Sequence, residues 1–135
     1  MWPEDHHAKA MDDPDYRYLI IEEEGRPEGY AFLNGLLSPN HAVQLCRFVL
    51  AEPGKGKGRA ACKLILDEVF IGLGAHRLYL DLFDDNIRAE RLYYSLGFQL
   101  EGVLRDAERR GKEFRSLKLM SMLESEYRAL KPTNL

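Results

Sequence analysis

The stretch PGKGKGRA, residues 53–60, marks the point at which the chain changes from strands to helices. It follows an apolar run rich in β-branched and aromatic residues, and it opens a segment whose apolar residues recur with helical spacing. Its glycines allow backbone N–H groups to approach a ligand closely, and a helix N-terminus carries partial positive charge. The stretch therefore predicts an anion cradle, such as a phosphate site, between a strand and a helix.

Three segments before this stretch are predicted to be β-strands. They are rich in β-branched and aromatic residues, and they cover Tyr16–Glu23, residues 28–37 and Ala42–Leu50. Short turns at residues 25–27 and 38–40 join them, which favours antiparallel pairing.

The segment after the stretch has the apolar spacing of an amphipathic helix. Its apolar residues are separated by helical intervals and are Cys62, Ile65, Leu66, Val69, Phe70 and Leu73. Gly72 and Gly74 are predicted to end this helix. The elements that follow are a strand at Arg77–Phe83, a helix at Ile87–Leu96, and strands at residues 99–109 and Glu113–Leu123. The order β-β-β-α-β-α-β-β predicts an α/β domain with a mixed sheet.

Composition and charge limit the class of protein. The chain has 135 residues, of which 45% are apolar and 30% charged, as is typical of one globular domain. Its apolar runs are shorter than the ~20 residues of a membrane span, and its first residues do not resemble a secretory leader. A net charge of −3 argues against nucleic acid as the main partner. We therefore expect a cytoplasmic protein that binds neither membrane nor nucleic acid.

Cysteines and histidines give no sign of a metal site. Cys46 and Cys62 fall in apolar patterns, which predicts reduced thiols packed in the core and no disulfide. His6 and His7 have no matching set of Cys or His, so we expect no bound metal.

The glycine stretch can be compared with three other kinds of loop, and none of them fits as well as an anion cradle. A mononucleotide P-loop needs Lys followed by Ser or Thr, but Lys55 and Lys57 are each followed by glycine. Residues 56–61 do match a dinucleotide fingerprint, with Asp81 as the ribose acid, but antiparallel strands precede them and little chain follows. A plain turn is disfavoured because Lys55, Lys57 and Arg59 would repel one another without an anion.

A second motif is NIRAERLYYSLGF, residues 86–98. In a helix, Ala89, Leu92, Tyr93 and Leu96 fall on one face, and Gly97 follows as a C′ residue. Spacing alone favours a core tyrosine at position 93 and a helix N-cap at Asn86.

Taken together, the two motifs resemble the GNAT superfamily of N-acetyltransferases. The residues that carry the resemblance are Gly56, Gly58, Asn86, Ala89, Leu92, Tyr93, Gly97 and Phe98. The tail beginning EGVLRD, residues 101–106, resembles the branch of spermidine and ribosomal-protein acetyltransferases, and the likeness spans roughly residues 17–125. Pro53 and Lys57 depart from the family pattern.

This resemblance implies a GNAT fold, with a mixed, mostly antiparallel sheet whose splayed central strands are flanked by helices. It implies an acetyl-CoA-dependent N-acetyltransferase, in which a primary amine attacks the thioester directly. The residues implied to bind acetyl-CoA are Phe48, Val49, Leu50, Gly54, Lys55, Gly56, Lys57, Gly58, Arg59, Asn86 and Tyr93. Tyr93 is also the implied general acid for the departing thiolate.

The general base is left open by the sequence. Related enzymes often use a glutamate on the strand that here carries Gln44, and an amide cannot act as a base. The candidates are His41, Asp81, Glu101 and Glu113. A catalytically weak acyl-CoA-binding module and a dinucleotide-binding protein are the alternatives to an enzyme.

The front of the chain differs most from the resembled family. We expect residues 1–135 to form one domain in which residues 1–15 are a short polar segment with at most a short helix. The usual first strand and following helices are not found, so they are absent, supplied by another subunit or removed. The strand at Tyr16–Glu23 would then be an open sheet edge, which predicts a homodimer. The acceptor amine is not indicated.

Overall fold

A computed structural model describes residues 13–52 and 56–130. In this part of the chain, six strands form one sheet in the order β1-β2-β3-β4-β6-β5. The strands are β1 (Tyr16–Glu23), β2 (Arg26–Asn34), β3 (Ala42–Leu50), β4 (Arg77–Phe83), β5 (Gln99–Arg110) and β6 (Glu113–Leu123). The helices are α1 (Lys57–Asp67), α2 (Ile87–Leu96) and α3 (Glu124–Leu130), and a π-helical turn at Glu68–Gly72 extends α1.

The predicted GNAT arrangement is confirmed: a mixed, mostly antiparallel sheet is flanked by three helices in the described residues. Helix α3 was not predicted, and β2 spans Arg26–Asn34 rather than residues 28–37, so two residues of the predicted turn at 25–27 belong to the strand. The short helix expected before residue 12 lies outside the described residues. Strand β1 is an edge of the sheet, as predicted. Among the described residues, no helix combines the length and apolar character needed to span a bilayer.

The core lies where α1 and α2 pack on the sheet. Ala61, Cys62, Ile65 and Leu66 form the buried face of α1. The side chains buried most completely come from the sheet and the π-helical turn and are Phe70, Leu33, Leu78, Leu80, Met120, Met122 and Val69. The ring of Phe70 stacks on Tyr127 of α3 at 4.9 Å, which joins this added helix to the same core.

The two central strands separate soon after they meet. Strands β3 and β4 are parallel and pair at Ala42 with Arg77, Val43 with Leu78, and Gln44 with Tyr79. On the other side of β3, Leu33 faces Leu45 and Phe32 faces Arg47, so Cys46 is an extra residue in a β-bulge. A bulge bends its strand and increases its twist. The bend at Cys46 therefore turns the second half of β3 away from β4 and opens a wedge between them.

Gly29 allows β2 to lie close to the far end of β3. A Cβ atom at this position would overlap the carbonyl oxygen of Val49 and stand 3.1 Å from Cα of Leu50. Both neighbours are backbone, so they cannot move aside without shifting the strand. Gly102 in β5 offers a contrast, because a Cβ there has no atom within 4 Å.

We predict that Gly29→Ala destabilises the fold by ~1–3 kcal/mol, since overpacking against backbone displaces the end of β3. Gly102→Ala should change the free energy of unfolding by no more than ~0.5 kcal/mol. Urea denaturation of both variants measures the difference. Equal stability of the two would contradict the close approach of β2 to β3.

Candidate active site

The wedge between β3 and β4 forms a cavity of about 780 Å³. The glycine stretch and the second motif meet at this cavity, although 30 residues separate Gly56 from Asn86 in the sequence. Seven of the residues expected to bind acetyl-CoA line this cavity: Phe48, Leu50, Gly56, Gly58, Arg59, Asn86 and Tyr93. Val49 is 40% exposed and does not line the cavity. Gly54 and Lys55 lie outside the described residues.

The N-terminus of α1 opens into the cavity at Gly56. This residue has φ 74°, a left-handed conformation that glycine adopts without strain, and α1 begins directly after it. Within the described residues, no side chain caps this end of α1 and no acidic residue occupies its first turn. Its first N–H groups therefore remain available to an anion.

Gly58 lies where three elements meet at the same end of the cavity. A Cβ at Gly58 would stand 3.4 Å from Cδ2 of Leu92 in α2 and 3.6 Å from Cδ1 of Leu50 in β3. The next residue, Arg59, donates a 2.7 Å hydrogen bond to Oγ of Ser95 in α2. This bond holds a fixed positive charge beside the open helix end.

Lys57 does not line the cavity. Its ammonium lies 3.6 Å from Glu23, 3.5 Å from Glu28 and 3.8 Å from Glu52. The side chain thus points to carboxylates outside the cavity, whereas the expected acetyl-CoA site included it among the binding residues.

Asn86 begins α2 and borders the cavity. Its side-chain oxygen accepts a 3.2 Å hydrogen bond from the amide of Ala89. The N-cap role that spacing predicted is therefore confirmed. The cap holds the first turn of α2, and with it the position of Tyr93 two turns later.

Tyr93 is 8% exposed and stands between the core and the cavity. Its ring packs edge-on against Phe98 at 5.4 Å. Burial raises the pKa of its hydroxyl well above the usual value, and the nearby Cys62 thiol adds to the rise. The phenol therefore stays protonated at neutral and alkaline pH. Tyr94 is 46% exposed, so the predicted faces of α2 are confirmed.

All four candidate bases lie in the part of the chain that the structure describes, and of these four Asp81 alone lines the cavity. Burial raises the pKa of its carboxyl, and the negative charge of Glu108 raises it further. Glu108 lines the cavity too, and sequence patterns missed it. A bulge in β5 between Leu104 and Glu108 changes the pairing with β6. Because a bulge leaves no periodic pattern in the sequence, the position of Glu108 could not be predicted.

The other three candidate bases lie elsewhere. Hydrogen bonds from Arg77 and from Ser121 lower the pKa of Glu101 to about 2, so this carboxylate is a weak base. His41 lies just before β3, where its carbonyl accepts a 2.8 Å hydrogen bond from the amide of His76. Glu113 faces Arg110 at the β5–β6 hairpin.

The family model of the acetyltransferase (GNAT) family matches residues 1–98. The chain belongs to the GNAT family. It is 30% identical over 129 residues to the spermidine N(1)-acetyltransferase of Escherichia coli K12, which covers 93% of this chain and 68% of that protein. The spermine/spermidine N(1)-acetyltransferase of Bacillus subtilis 168 is 39% identical over 97 residues, with 66% of this chain and 63% of that protein covered.

Solved structures of the same family agree. The Vibrio cholerae spermidine N-acetyltransferase in complex with CoA and spermine superimposes with a TM-score of 0.83 at 25% identity, over 92% of this chain and 75% of that one. A dodecameric structure of the same enzyme gives 0.81 at 26% identity, over 92% and 74%. The predicted likeness of this GNAT chain to the spermidine branch is confirmed, and the chain is an N-acetyltransferase.

The two cysteines of this GNAT domain occupy different environments. Cys62 is 3% exposed in the core, as predicted. The same prediction is wrong for Cys46, because the β3 bulge leaves it exposed and lining the cavity. Desolvation at the cavity wall, with Asp81 nearby, raises the pKa of the Cys46 thiol to about 11.

We predict that alkylating reagents modify Cys46 in the folded protein and modify Cys62 only after unfolding. Since the thiolate is the nucleophile, the rate at Cys46 should rise about tenfold per pH unit below its pKa. Peptide mapping by mass spectrometry distinguishes the two sites. Modification of both at equal rates would contradict the placement of Cys46 in the cavity.

Proposed function

We propose that this chain transfers the acetyl group of acetyl-CoA to a polyamine of the spermidine or spermine class, within a ternary complex. The observation that carries the proposal is the single cavity between β3 and β4, which borders the open end of α1, Tyr93 and two carboxylates. The named activities of the bacterial relatives support the choice of acceptor.

The open edge of β3 suits the pantetheine arm of acetyl-CoA. Residues 48–50 pair with β2 on one side only, so their other edge offers backbone hydrogen-bonding groups to an extended ligand. The diphosphate would lie on the amides at the start of α1, with Arg59 as its fixed cation and the described glycines leaving room for it. Gly54 and Lys55 belong to the same proposed cradle.

Asp81 and Glu108 suit a polycationic amine. Their carboxylates line the cavity together with the guanidinium groups of Arg47, Arg88 and Arg110, and they are the groups there that would bind a protonated amine. The amine must lose a proton before it attacks, and the raised pKa of Asp81 makes this carboxylate a better base than an ordinary one. We assign proton acceptance to Asp81 and orientation of the acceptor to both residues.

Transfer then needs one new bond and one broken bond. The amine nitrogen bonds to the thioester carbon, and the oxyanion that forms is stabilised by a backbone N–H on the free edge of β3. The C–S bond breaks as the intermediate collapses, and the thiolate takes the proton of Tyr93. The bonded nitrogen then gives up its extra proton to the Tyr93 phenolate, which leaves a neutral amide and restores the phenol. Burial keeps the phenol protonated well above neutral pH, so its proton is present when the thiolate leaves.

An assay of thiol release tests the function. Acetyl-CoA with spermidine or spermine should release free thiol faster than acetyl-CoA with a lysine-containing peptide or a peptide N-terminus. Release with peptides alone would overturn the acceptor class. Binding of CoA without release with any amine would favour the acyl-CoA-binding module instead.

Self-association belongs to the same proposal. Strand β1 is an edge strand with Ile20 59% exposed, and such edges pair readily with another chain. The Vibrio cholerae relative is described as dodecameric. A homodimer is the smallest assembly that would cover the β1 edge.

We predict that Tyr93→Phe lowers kcat by ~10²–10⁴-fold, the usual range for a lost general acid, while acetyl-CoA binding changes little. Tyr94→Phe is the matched control, since Tyr94 is exposed on another face of α2, and it should leave turnover nearly intact. Steady-state kinetics with spermidine measures both. Full kcat in Tyr93→Phe would show that the proton comes from another group.

We predict that the acid limb of the pH–rate profile reports Asp81. Activity should be present above the raised pKa of this carboxyl and fall as pH drops through it, because the protonated form cannot accept a proton. Asp81→Asn should lower kcat by ~10²-fold or more and abolish this limb.

Glu108→Gln tests the effect of the neighbouring charge on Asp81 while leaving the Asp81 carboxyl in place. It removes the like charge that helps raise the pKa of Asp81, so the limb should move to lower pH with the fold retained. A limb that persists unchanged in Asp81→Asn would exclude Asp81 as the titrating base, and one that does not move in Glu108→Gln would show that Glu108 does not act on it.

A further inference from the structure

Lys57 is held by carboxylates from three separate parts of the chain. Glu23 ends β1, Glu28 lies in β2, and Glu52 follows β3, and their oxygens lie 3.5–3.8 Å from the Lys57 ammonium. The Lys57 and Glu28 side chains are 30% and 18% exposed, so this cluster is partly shielded from water. Among these four side chains, one ammonium faces three carboxylates.

This cluster adjoins the anion-binding end of the cavity. Lys57 is the first residue of α1, between Gly56 and Gly58, which both line the cavity. The diphosphate proposed for the same helix end would thus lie near three carboxylates. Like charges within a Debye length, about 8 Å at physiological salt, repel each other appreciably.

We propose that Lys57 is a positioning residue for CoA binding, which acts by neutralising the Glu23, Glu28 and Glu52 carboxylates and not by contacting a phosphate. The proposal rests on the proposed function. It accounts for an ammonium that turns away from the cavity although its backbone stands at the cavity mouth. Burial lowers the pKa of Lys57, but the three carboxylates outweigh this and raise it, so the ammonium stays charged.

Shielding and direct contact predict different behaviour of double variants. If Lys57 shields the diphosphate of CoA from the carboxylates, removing one carboxylate compensates for removing the ammonium. If Lys57 contacts a phosphate, removing a carboxylate leaves the lost contact unrepaired. Glu28 is the best partner to remove, because it is the nearest and least exposed of the three carboxylates.

The experiment measures CoA affinity by titration calorimetry for wild type, Lys57→Met, Glu28→Gln and the double variant. At low salt, Lys57→Met should weaken CoA binding about tenfold, and the loss should shrink to about threefold or less at high salt. The double variant should bind within about threefold of wild type, and Glu28→Gln alone should not weaken binding.

Glu23→Gln provides a second measurement that keeps Lys57 in place. This carboxylate is 56% exposed at the rim of the cluster, so its replacement disturbs packing least. Affinity for CoA at low salt should stay equal to wild type or rise. Thermal melting without ligand establishes that each variant is folded.

Three results would overturn the proposal: a loss in Lys57→Met that is independent of salt, no recovery in the double variant, or weaker binding in Glu23→Gln. Failure of wild type to bind CoA would instead refute the proposed function, and the role of Lys57 with it. Wild-type binding with equal affinity in all variants would refute the role of Lys57 alone.

Discussion

The separation of β3 from β4 is the constraint on which the rest of the site depends. Parallel pairing stops after Gln44 and Tyr79, and the bulge at Cys46 bends β3 away. Backbone N–H and C=O groups in the middle of a sheet are then left without strand partners, and such groups are costly unless water or a ligand satisfies them. The gap between these two strands is therefore suited to bind an extended polar ligand. Residues of the helices α1 and α2 border this gap.

Side chains of both charges line the cavity: the carboxylates of Asp81 and Glu108, and the guanidinium groups of Arg47, Arg59, Arg88 and Arg110. The open end of α1 and the fixed guanidinium of Arg59 favour an anion at one end. Asp81 and Glu108 favour a cation near the parted strands. Because Lys57 is bound by three carboxylates, Arg59 is the described cation of the stretch that faces the cavity.

Local patterns in the sequence predicted much of the fold and part of the site. The bounds of β1, β3, β4, β6 and α2 were predicted, because apolar periodicity and turn residues act over a few residues. The same local spacing correctly predicted Asn86 as the N-cap of α2 and Tyr93 on its buried face. Helix α3 was missed, because its stability comes from packing such as that of Tyr127 on Phe70, 57 positions earlier in the chain.

The sequence by itself determined the order of the elements, the cradle glycines, the tyrosine on the buried face of α2, and the family. Tertiary structure alone decided that Cys46 and Glu108 line the cavity, that Lys57 turns away from it, and that Asp81 lines the cavity whereas Glu101 does not. The physical reason is strand register: a bulge of a single residue reverses which face the following side chains occupy, and bulges have no periodic signal. Ion pairs add to this, because their partners are brought together only by the completed fold.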